Sequence, residues 1–426
     1  MVTPSSQSDS NPVVDADPTD AAIASPAPQT DSPDNSPAES PTPDQTAAQP
    51  VQTPSLGQSW LYAGGVLFAI YGLFASIDLL NIGFQSILGP QVQGLLTLAA
   101  NPWLGLLLGI LATALVQSSS IVTALLVALV AGGLPITTAI PIVMGANLGT
   151  TITNTLVSLG YLSNDDDFER GFAAATIHDC FNLLALVIFF PLELLWHPLE
   201  HLSQWLLNQN INVALMPDSF VSPIDWLIQP TRWLIAYGVN HLAGPWDSLL
   251  LFSSSVGGLM LSVTMLGWLL KRWLNAPAQT AIYWGIGHGS RLGGLAAGAA
   301  TTALLQSSSM TTSLTVPLAG TGMVTLEDIY PFILGANIGT CITALLATLS
   351  LNSPVAQQLA LVHLSYNLLA VVLIYGLPGL RKIPITMAQK LAATTLRFRL
   401  VAVAYVVGLF FAVPLLALWL SFTWMT

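Results

Sequence analysis

Long apolar segments constrain this chain more than any other feature. Nine of them lie between Trp60 and Trp424, at residues 60–82, 103–132, 137–160, 171–195, 248–272, 294–320, 328–350, 357–380 and 400–424. A helix needs about 20 residues to cross a bilayer. Only 7% of the residues are charged, and the apolar runs are continuous rather than alternating with the period of two of a membrane barrel. The sequence therefore predicts an all-α polytopic membrane protein, with the lipid bilayer as its surroundings and no nucleic acid as a partner.

Two stretches that are more polar than the rest of the chain divide it into regions. Residues 1–55 contain eight acidic residues and no Lys or Arg, and they are rich in Pro, Ser, Thr, Gln and Ala, a composition typical of disorder. Residues 196–247 are rich in Pro and Trp, which suits a segment at the membrane interface. We therefore predict a disordered tail at 1–55, a first transmembrane unit at 56–195, an external connection at 196–247 and a second transmembrane unit at 248–426.

The basic residues favour one topology. We place the tail in the cytoplasm and treat the two segments that contain the letters QSSS, at Gln117–Ser120 and Gln306–Ser309, as re-entrant hairpins that do not cross. Nine of the ten Lys and Arg residues then face the cytoplasm and only Arg232 lies outside, in line with the positive-inside rule. A single crossing by each QSSS segment would scatter these charges over both sides. We therefore expect a multi-pass protein of the plasma membrane with a cytoplasmic N-terminus and two re-entrant hairpins.

Three motifs occur twice, in the same order. They are QSSS at 117–120 and 306–309, GANLGTTIT at 145–153 with GANIGTCIT at 335–343, and HDCFNLL at 178–184 with HLSYNLL at 363–369. The copies are 189, 190 and 185 residues apart, which indicates a duplicated unit. We call its copies the first repeat, Asn101–Leu195, and the second repeat, Leu292–Gly379. The topology makes the repeats inverted, and inverted repeats whose broken helices meet at the bilayer midplane are a transporter architecture.

The QSSS segments are the candidate substrate site. A single Ser in a membrane helix often only bonds the preceding turn or a neighbouring helix, but three consecutive serines cannot all face one packing partner. At a hairpin tip, hydroxyls, backbone N–H groups and helix N-termini favour an anion. No Lys or Arg lies near the tips, so an anion at the midplane needs a co-transported cation such as Na⁺. The candidate anion ligands are Gln117, Ser118, Ser119, Ser120, Ser307, Ser308 and Ser309.

The other two motifs offer cation ligands and contacts between helices. Side-chain oxygens of the glycine-rich motif could face the cavity, at Asn147, Thr150, Thr153, Asn337, Thr340 and Thr343. Its glycines have an alternative explanation, which is close helix packing of the small-xxx-small kind. We expect the polar residues of the third motif to clasp the repeats together, at His178, Asp179, Asn182, His363 and Asn367. Asp179 is also a functional candidate, because a carboxyl group in an apolar span is costly. The two cysteines are expected to be buried free thiols.

These motifs make the chain resemble the type II sodium-dependent phosphate cotransporters, the Na⁺/Pi symporter family. The resemblance covers most of residues 60–420, through NPWLGLLLGILATALVQSSS, IPIVMGANLGTTITNTLVSLG, DFERGFAAATIHDCFNLL, LLQSSSMTTSLTVPLAGTGMV, YPFILGANIGTCITALLATL and LPGLRKIPITMAQ. It implies that both tips surround inorganic phosphate. It also implies sodium ligands in the second repeat, at Gln306, Ser307, Thr340 and Thr343. The family usually has Ser at the position of Ala336, so one oxygen ligand is missing here. The function that the resemblance implies is sodium-coupled phosphate symport by alternating access, without enzymatic activity.

The residues leave other functions open. A carrier of the same fold could move sulfate or arsenate, because hydroxyl donors fit any tetrahedral oxyanion. A passive channel would show no sodium dependence. An intramembrane hydrolase would need a QSSS serine bonded to His178 or His363, but the duplication and the absence of a GxSxG motif argue against it. A homodimer is also left open.

Overall fold

The computed structural model describes residues 55–87, 101–150, 152–158, 164–209, 229–231, 233, 237, 247–274, 285–286, 290–351 and 353–425. The predicted tail lies outside these residues apart from Ser55, as does most of the predicted external connection after Gln209. All described residues belong to one compact unit, Val51–Thr426. Their regular structure is entirely helical, which confirms the predicted all-α class.

The described α-helices are numbered in chain order. The first eight are α1 (Leu56–Ile87), α2 (Pro102–Val116), α3 (Ser119–Ala131), α4 (Ile136–Gly149), α5 (Ile152–Ser158), α6 (Asp165–Trp196), α7 (Pro198–Asn208) and α8 (Asp247–Trp273). The others are α9 (Arg291–Leu305), α10 (Ser308–Ser313), α11 (Thr315–Gly320), α12 (Leu326–Gly339), α13 (Cys341–Thr348), α14 (Pro354–Ala370), α15 (Pro378–Arg397), α16 (Leu400–Val407) and α17 (Val413–Met425). The π-helical turns Val371–Tyr375 and Gly408–Ala412 continue α14 and α16.

Seven stretches of the described chain are long and apolar enough to cross a membrane, which confirms a polytopic membrane protein. They are Leu56–Phe84, Ile136–Ser158, Asp165–Trp196, Leu249–Trp273, Leu326–Thr348, Pro354–Tyr375 and Leu400–Ser421. They correspond to seven of the nine predicted segments. The other two, 103–132 and 294–320, are the QSSS segments. Each of these is interrupted at its Gln–Ser pair, so that neither forms one continuous helix.

The structure differs from the sequence prediction after Tyr375. The predicted segment 357–380 ends early because Leu377 is extended, with φ −91° and ψ 118°, the conformation that a following proline favours. Pro378 then begins α15, which is not among the candidate spans. The chain therefore has a separate, more polar helix between its last two spans.

Two helix pairs pack backbone against backbone through glycine. In the first repeat α2 crosses α4, and in the second repeat α9 crosses α12. A Cβ atom on Gly109 or Gly145 would overlap a carbonyl oxygen of the facing helix, and so would one on Gly298 or Gly335. These glycines therefore serve close helix packing, the alternative explanation of the glycine-rich motif, and both repeats use them in the same way.

Burial separates a central helix from a peripheral one. In the most apolar part of the span Asp165–Trp196, 78% of the residues are buried. The corresponding share in the span Leu400–Ser421 is 17%. Cys180 and Cys341 are both buried and free, as predicted. The central helix α6 thus carries the third repeated motif into the interior, where both repeats can reach it.

Candidate functional site

Both QSSS segments break their helix with the same backbone geometry. Gln117 lies in the left-handed region at φ 55° and ψ 27°, and Gln306 lies there at φ 51° and ψ 27°. Few non-glycine residues adopt this region, and His197 is the only other one with a positive φ among the described residues. We call Gln117–Ser120 the first tip and Gln306–Ser309 the second tip. Because the break is the same in both, the motif itself specifies it.

A serine cap begins the helix after each tip. The Ile121 N–H donates to Ser118 Oγ at 3.3 Å, and the Met310 N–H donates to Ser307 Oγ at 3.3 Å. Such a cap satisfies only one of the N–H groups that are free at the start of a helix. In α3, which has 13 residues, the other N–H groups and the helix dipole favour a nearby anion.

The glutamine side chain of the second tip is buried and bonded. Gln306 Nε2 donates to the Ala303 carbonyl at 2.6 Å, and Gln306 Oε1 accepts from Thr343 Oγ1 at 2.8 Å. Thr340 Oγ1 donates to the Ala336 carbonyl of its own helix at 3.0 Å. The structure thus brings Gln306 and Thr343, two of the predicted sodium ligands, into contact, while the Thr340 hydroxyl is bonded within its helix.

The first tip has no equivalent pair among the described residues. The Gln117 side chain is exposed. Thr153, the counterpart of Thr343, has a buried Oγ1 without a hydrogen-bond partner in the described part of the chain. Thr150 Oγ1 donates to the Ala146 carbonyl at 3.1 Å, as Thr340 does in the second repeat. The two repeats therefore match in their backbone and differ at the glutamine.

Each tip leads into a helix that packs against the other repeat. α3 of the first repeat packs against α13 of the second, and α10 of the second packs against α5 of the first. Ser309 Oγ donates to the Thr150 carbonyl at 3.3 Å, and Asn154 Nδ2 donates to Thr312 Oγ1 at 2.8 Å. In the second repeat Ala344 stands in the place of Asn154. The helix α10 that follows the second tip is thus bonded to the first repeat by the pair Asn154–Thr312, for which the sequence provides no symmetric copy.

Two threonines near the tips were missed by the sequence analysis. Thr113 and Thr302 are fully buried, and their Oγ1 atoms have no hydrogen-bond partner among the described residues. Thr113 packs against Gly149 and Thr302 packs against Gly339. The Ser119 hydroxyl is also buried without a described partner. The signal was present in the sequence, because a threonine precedes each QSSS glutamine by four residues. Buried unpaired hydroxyls are costly, so these positions are suited to bind a ligand.

Four asparagines form a hydrogen-bonded network between the repeats. Within each repeat, Asn182 Nδ2 donates to the Asn147 carbonyl at 3.0 Å, and Asn367 Nδ2 donates to the Asn337 carbonyl at 3.1 Å. Between the repeats, Asn337 Nδ2 donates to Asn182 Oδ1 at 2.9 Å, and Asn147 Nδ2 donates to Asn367 Oδ1 at 2.5 Å. The amides of Asn147 and Asn337, which the sequence analysis placed among the sodium ligands, are thus engaged in this network.

The two histidines flank this network. His363 Nε2 lies 3.0 Å from Asn147 Oδ1. His178 contacts Asn337, although neither of its ring nitrogens has a hydrogen bond of regular geometry to a described residue. No QSSS serine is bonded to either histidine in the described part of the chain. The arrangement therefore provides no Ser–His pair for a hydrolase.

Asp179 lies next to the network in sequence but bonds to a different helix. Its Oδ2 accepts from Tyr405 Oη at 2.8 Å, and Tyr405 belongs to α16. The aspartate therefore attaches the peripheral last span to the central helix α6. This contact cannot be predicted from the sequence, because Asp179 and Tyr405 belong to no common motif.

The sequence matches a known protein family and several known proteins. A family model described as Na⁺/Pi-cotransporter matches residues 73–206 and 259–411. Sodium-dependent phosphate transport protein 2A of Ovis aries is 31% identical over 84% of this chain and 67% of its own length. The 2A protein of Rattus norvegicus is 31% identical over 83% of this chain and 66% of its own length. The 2B protein of Homo sapiens is 29% identical over 83% of this chain and 64% of its own length.

The chain thus spans about two thirds of the length of these relatives. No solved structure matches it. The family and the relatives are named as transporters, not as enzymes. The matched residues include both tips, the glycine-packed helix pairs and the asparagine network. The chain belongs to the Na⁺/Pi-cotransporter family.

Proposed function

We propose that this protein carries inorganic phosphate across the plasma membrane together with Na⁺. The names of its family and relatives support both substrates. The observation that carries the proposal is the same left-handed break at both tips, each followed by a helix that packs against the opposite repeat. Two such tips can present hydroxyls and free N–H groups to one ligand between the repeats. We take the two QSSS segments to be re-entrant hairpins of an inverted repeat.

Phosphate is proposed to bind between the tips. The exposed Gln117 amide and the serine hydroxyls provide neutral donors, and the start of α3 adds free N–H groups with partial positive charge. Thr113 and Thr302, whose buried hydroxyls have no described partner, extend this donor set by one helical turn. The full set of proposed ligands is Gln117, Ser118, Ser119, Ser120, Ser307, Ser308, Ser309, Thr113 and Thr302.

Sodium is proposed to bind next to the second tip. Gln306 Oε1 and Thr343 Oγ1 lie 2.8 Å apart, so one small cation can contact both oxygens. Ser307 and the Thr340 region complete the proposed site, and Thr150 and Thr153 form its weaker counterpart in the first repeat. We assign Asn147 and Asn337 to the asparagine network, where they hold the repeats together, because their amides are already bonded.

Coupling follows from the charges of the two substrates. An anion alone at the tips would lack neutralising charge, which is costly in a low dielectric. The site loaded with phosphate and Na⁺ is then the form that changes its exposure from one side to the other. This is alternating access, and it disfavours uptake of either substrate alone.

Uptake of radiolabelled phosphate into proteoliposomes tests this function. An inward Na⁺ gradient is compared with an equal K⁺ gradient, and sulfate and arsenate are added as competitors. We expect uptake with Na⁺ only and weak competition by sulfate. Equal uptake in both gradients would contradict sodium coupling and indicate a channel. Sodium-driven uptake of sulfate in place of phosphate would mean that the carrier moves another oxyanion.

A further inference from the structure

Helix α15 is not among the candidate membrane spans of the described chain. It connects the spans Pro354–Tyr375 and Leu400–Ser421, so both of its ends are at the face where one span ends and the next begins. One side of α15 is buried, at Pro384, Ala388, Ala392 and Thr395. This side packs against the start of α6 through a small apolar cluster. The other side of the helix is directed away from the protein.

That outer side carries only positive charge. Lys382, Lys390 and Arg397 are all exposed, and at 3.6 residues per turn they fall within an arc of about 80° opposite the buried side. No Asp or Glu occurs anywhere in the chain after Asp328. The acidic residues nearest to α15 lie at the start of α6, and in the described part of the chain none of them forms an ion pair with Lys382, Lys390 or Arg397.

The other two bases near α15 already have partners within the protein. Arg399 forms an ion pair with Asp165 at 2.8 Å, and the Arg381 guanidinium lies 5.5 Å from the centre of the Tyr375 ring. Lys382 and Lys390 form no ion pair with a described residue. The Arg397 guanidinium lies 5.6 Å from the ring centre of its neighbour Phe398. None of the three outer bases thus has an anionic partner among the described residues.

Exposed apolar side chains lie at both ends of α15. Leu377 and Ile383 are 49% and 37% exposed near its start, and Phe398 and Leu400 are 57% and 81% exposed just after its end. A helix with a basic face and apolar residues at its margins is suited to the boundary between headgroups and acyl chains. Water alone would leave these apolar side chains unfavourably exposed.

We propose that the basic face of α15, formed by Lys382, Lys390 and Arg397, binds the headgroups of anionic phospholipids. The charge of the face, its position at the end of two spans and its apolar margins all fit a lipid surface. Basic side chains beside a membrane are attracted to acidic lipids and lose that attraction at high salt. The competing occupants are the acidic residues of the chain's own tail and free phosphate.

Lipid selectivity in proteoliposomes tests this proposal. Electron paramagnetic resonance with spin-labelled phosphatidylglycerol and phosphatidylcholine measures the preference of the full-length protein for the anionic lipid. We expect the variant Lys382→Gln/Lys390→Gln/Arg397→Gln to lower this preference several-fold, with about fivefold for each base as the upper limit. The variant Lys382→Arg/Lys390→Arg/Arg397→Lys should keep the preference of the wild type.

The matched control is Lys271→Gln/Arg272→Gln, which removes two exposed bases at the end of α8. We expect this control to lower the preference for the anionic lipid by less than half of the loss seen in the α15 variant. An equal loss in both variants, or no loss in the α15 variant, would overturn the proposal. So would displacement of the anionic lipid by millimolar inorganic phosphate.

Replacing the eight tail acids by their amides tests whether the tail occupies the basic face. We expect the lipid preference to stay unchanged, since a several-fold increase would show that the tail occupies the face. Gel filtration and thermal unfolding confirm that each variant is folded.

Discussion

The first and second tips have the same letters and the same backbone, but their glutamines differ. Gln306 is buried and bonded to Thr343, whereas Gln117 is exposed. Ser309 of the second tip reaches across to the Thr150 carbonyl of the first repeat. A duplicated motif thus specifies the helix break, and the residues around it determine what each copy does. We infer that the second tip mainly serves sodium and that the first tip mainly serves phosphate.

The largest expected effect concerns the scaffold, where the two repeats do not differ. Gly298→Ala and Gly109→Ala should each prevent folding or lower the free energy of unfolding by about 3 kcal/mol, because the new Cβ overlaps a backbone carbonyl. Thermal unfolding in detergent and the yield of monodisperse protein measure this effect. Gly257→Ala is the control, since nothing lies within 4 Å of the place that its new methyl group would occupy. A stable Gly298→Ala protein would show that the close crossing of α9 and α12 is not required.

Changing the Gln306–Thr343 pair should show the clearest functional difference between the two tips. Thr343→Val removes the donor to Gln306 and leaves a buried amide oxygen unpaired, which costs about 1–3 kcal/mol. We expect the sodium concentration for half-maximal phosphate uptake to rise about tenfold. The matched variant Thr153→Val, at the unpaired counterpart, should change it much less. Equal shifts in the two variants would remove the distinction between the tips.

The buried hydroxyls of Thr113 and Thr302 give a smaller test. Thr302→Val keeps the shape of the side chain and removes its hydroxyl, so half-maximal uptake should need about three- to tenfold more phosphate. Thr302→Ser should restore the wild-type value. Thr315→Val is the control, because the Thr315 hydroxyl already donates to the Thr312 carbonyl three residues earlier. If Thr302→Val and Thr315→Val behave alike, Thr302 is not a ligand.

The smallest expected effect concerns the hydrogen bond between Asn154 and α10, the helix after the second tip, which has no counterpart in the other repeat among the described residues. Asn154→Ala removes the hydrogen bond to Thr312, which contributes about 1 kcal/mol. Amide hydrogen exchange in α10 should become about fivefold faster, while exchange in α3 should not change. Ala344→Asn, which introduces the missing residue in the other repeat, should slow exchange in α3. Unchanged exchange in α10 would show that this pair does not hold the second tip.

Much of the fold is readable from the sequence. The apolar segments give the seven candidate spans, and the repeated QSSS letters give the two helix breaks. The four asparagines of the network meet because the two copies of each motif lie on buried helices at matching positions of the two repeats. The end of α14 was misplaced, because Gly376 and Pro378 lie within an otherwise favourable composition and only the extended Leu377 marks the boundary.

The differences between the repeats are harder to read. Asn154 and Ala344 differ in the sequence, but their partners lie in the other repeat and no local spacing reveals them. The unpaired hydroxyls of Thr113 and Thr302 depend on side-chain rotamers, which a motif does not specify. The contact between Asp179 and Tyr405 joins residues 226 apart in the chain, and its formation depends on where the last span packs.

The most direct test compares sodium activation of phosphate uptake for Gln306→Ala and Gln117→Ala in the same proteoliposomes. We expect Gln306→Ala to lose most of its sodium dependence, because a buried cation ligand is removed. We expect Gln117→Ala to keep the wild-type sodium response and to need more phosphate. A Gln306→Ala protein with an unchanged sodium response, or the same defect in both variants, would contradict the assignment of sodium to the second tip.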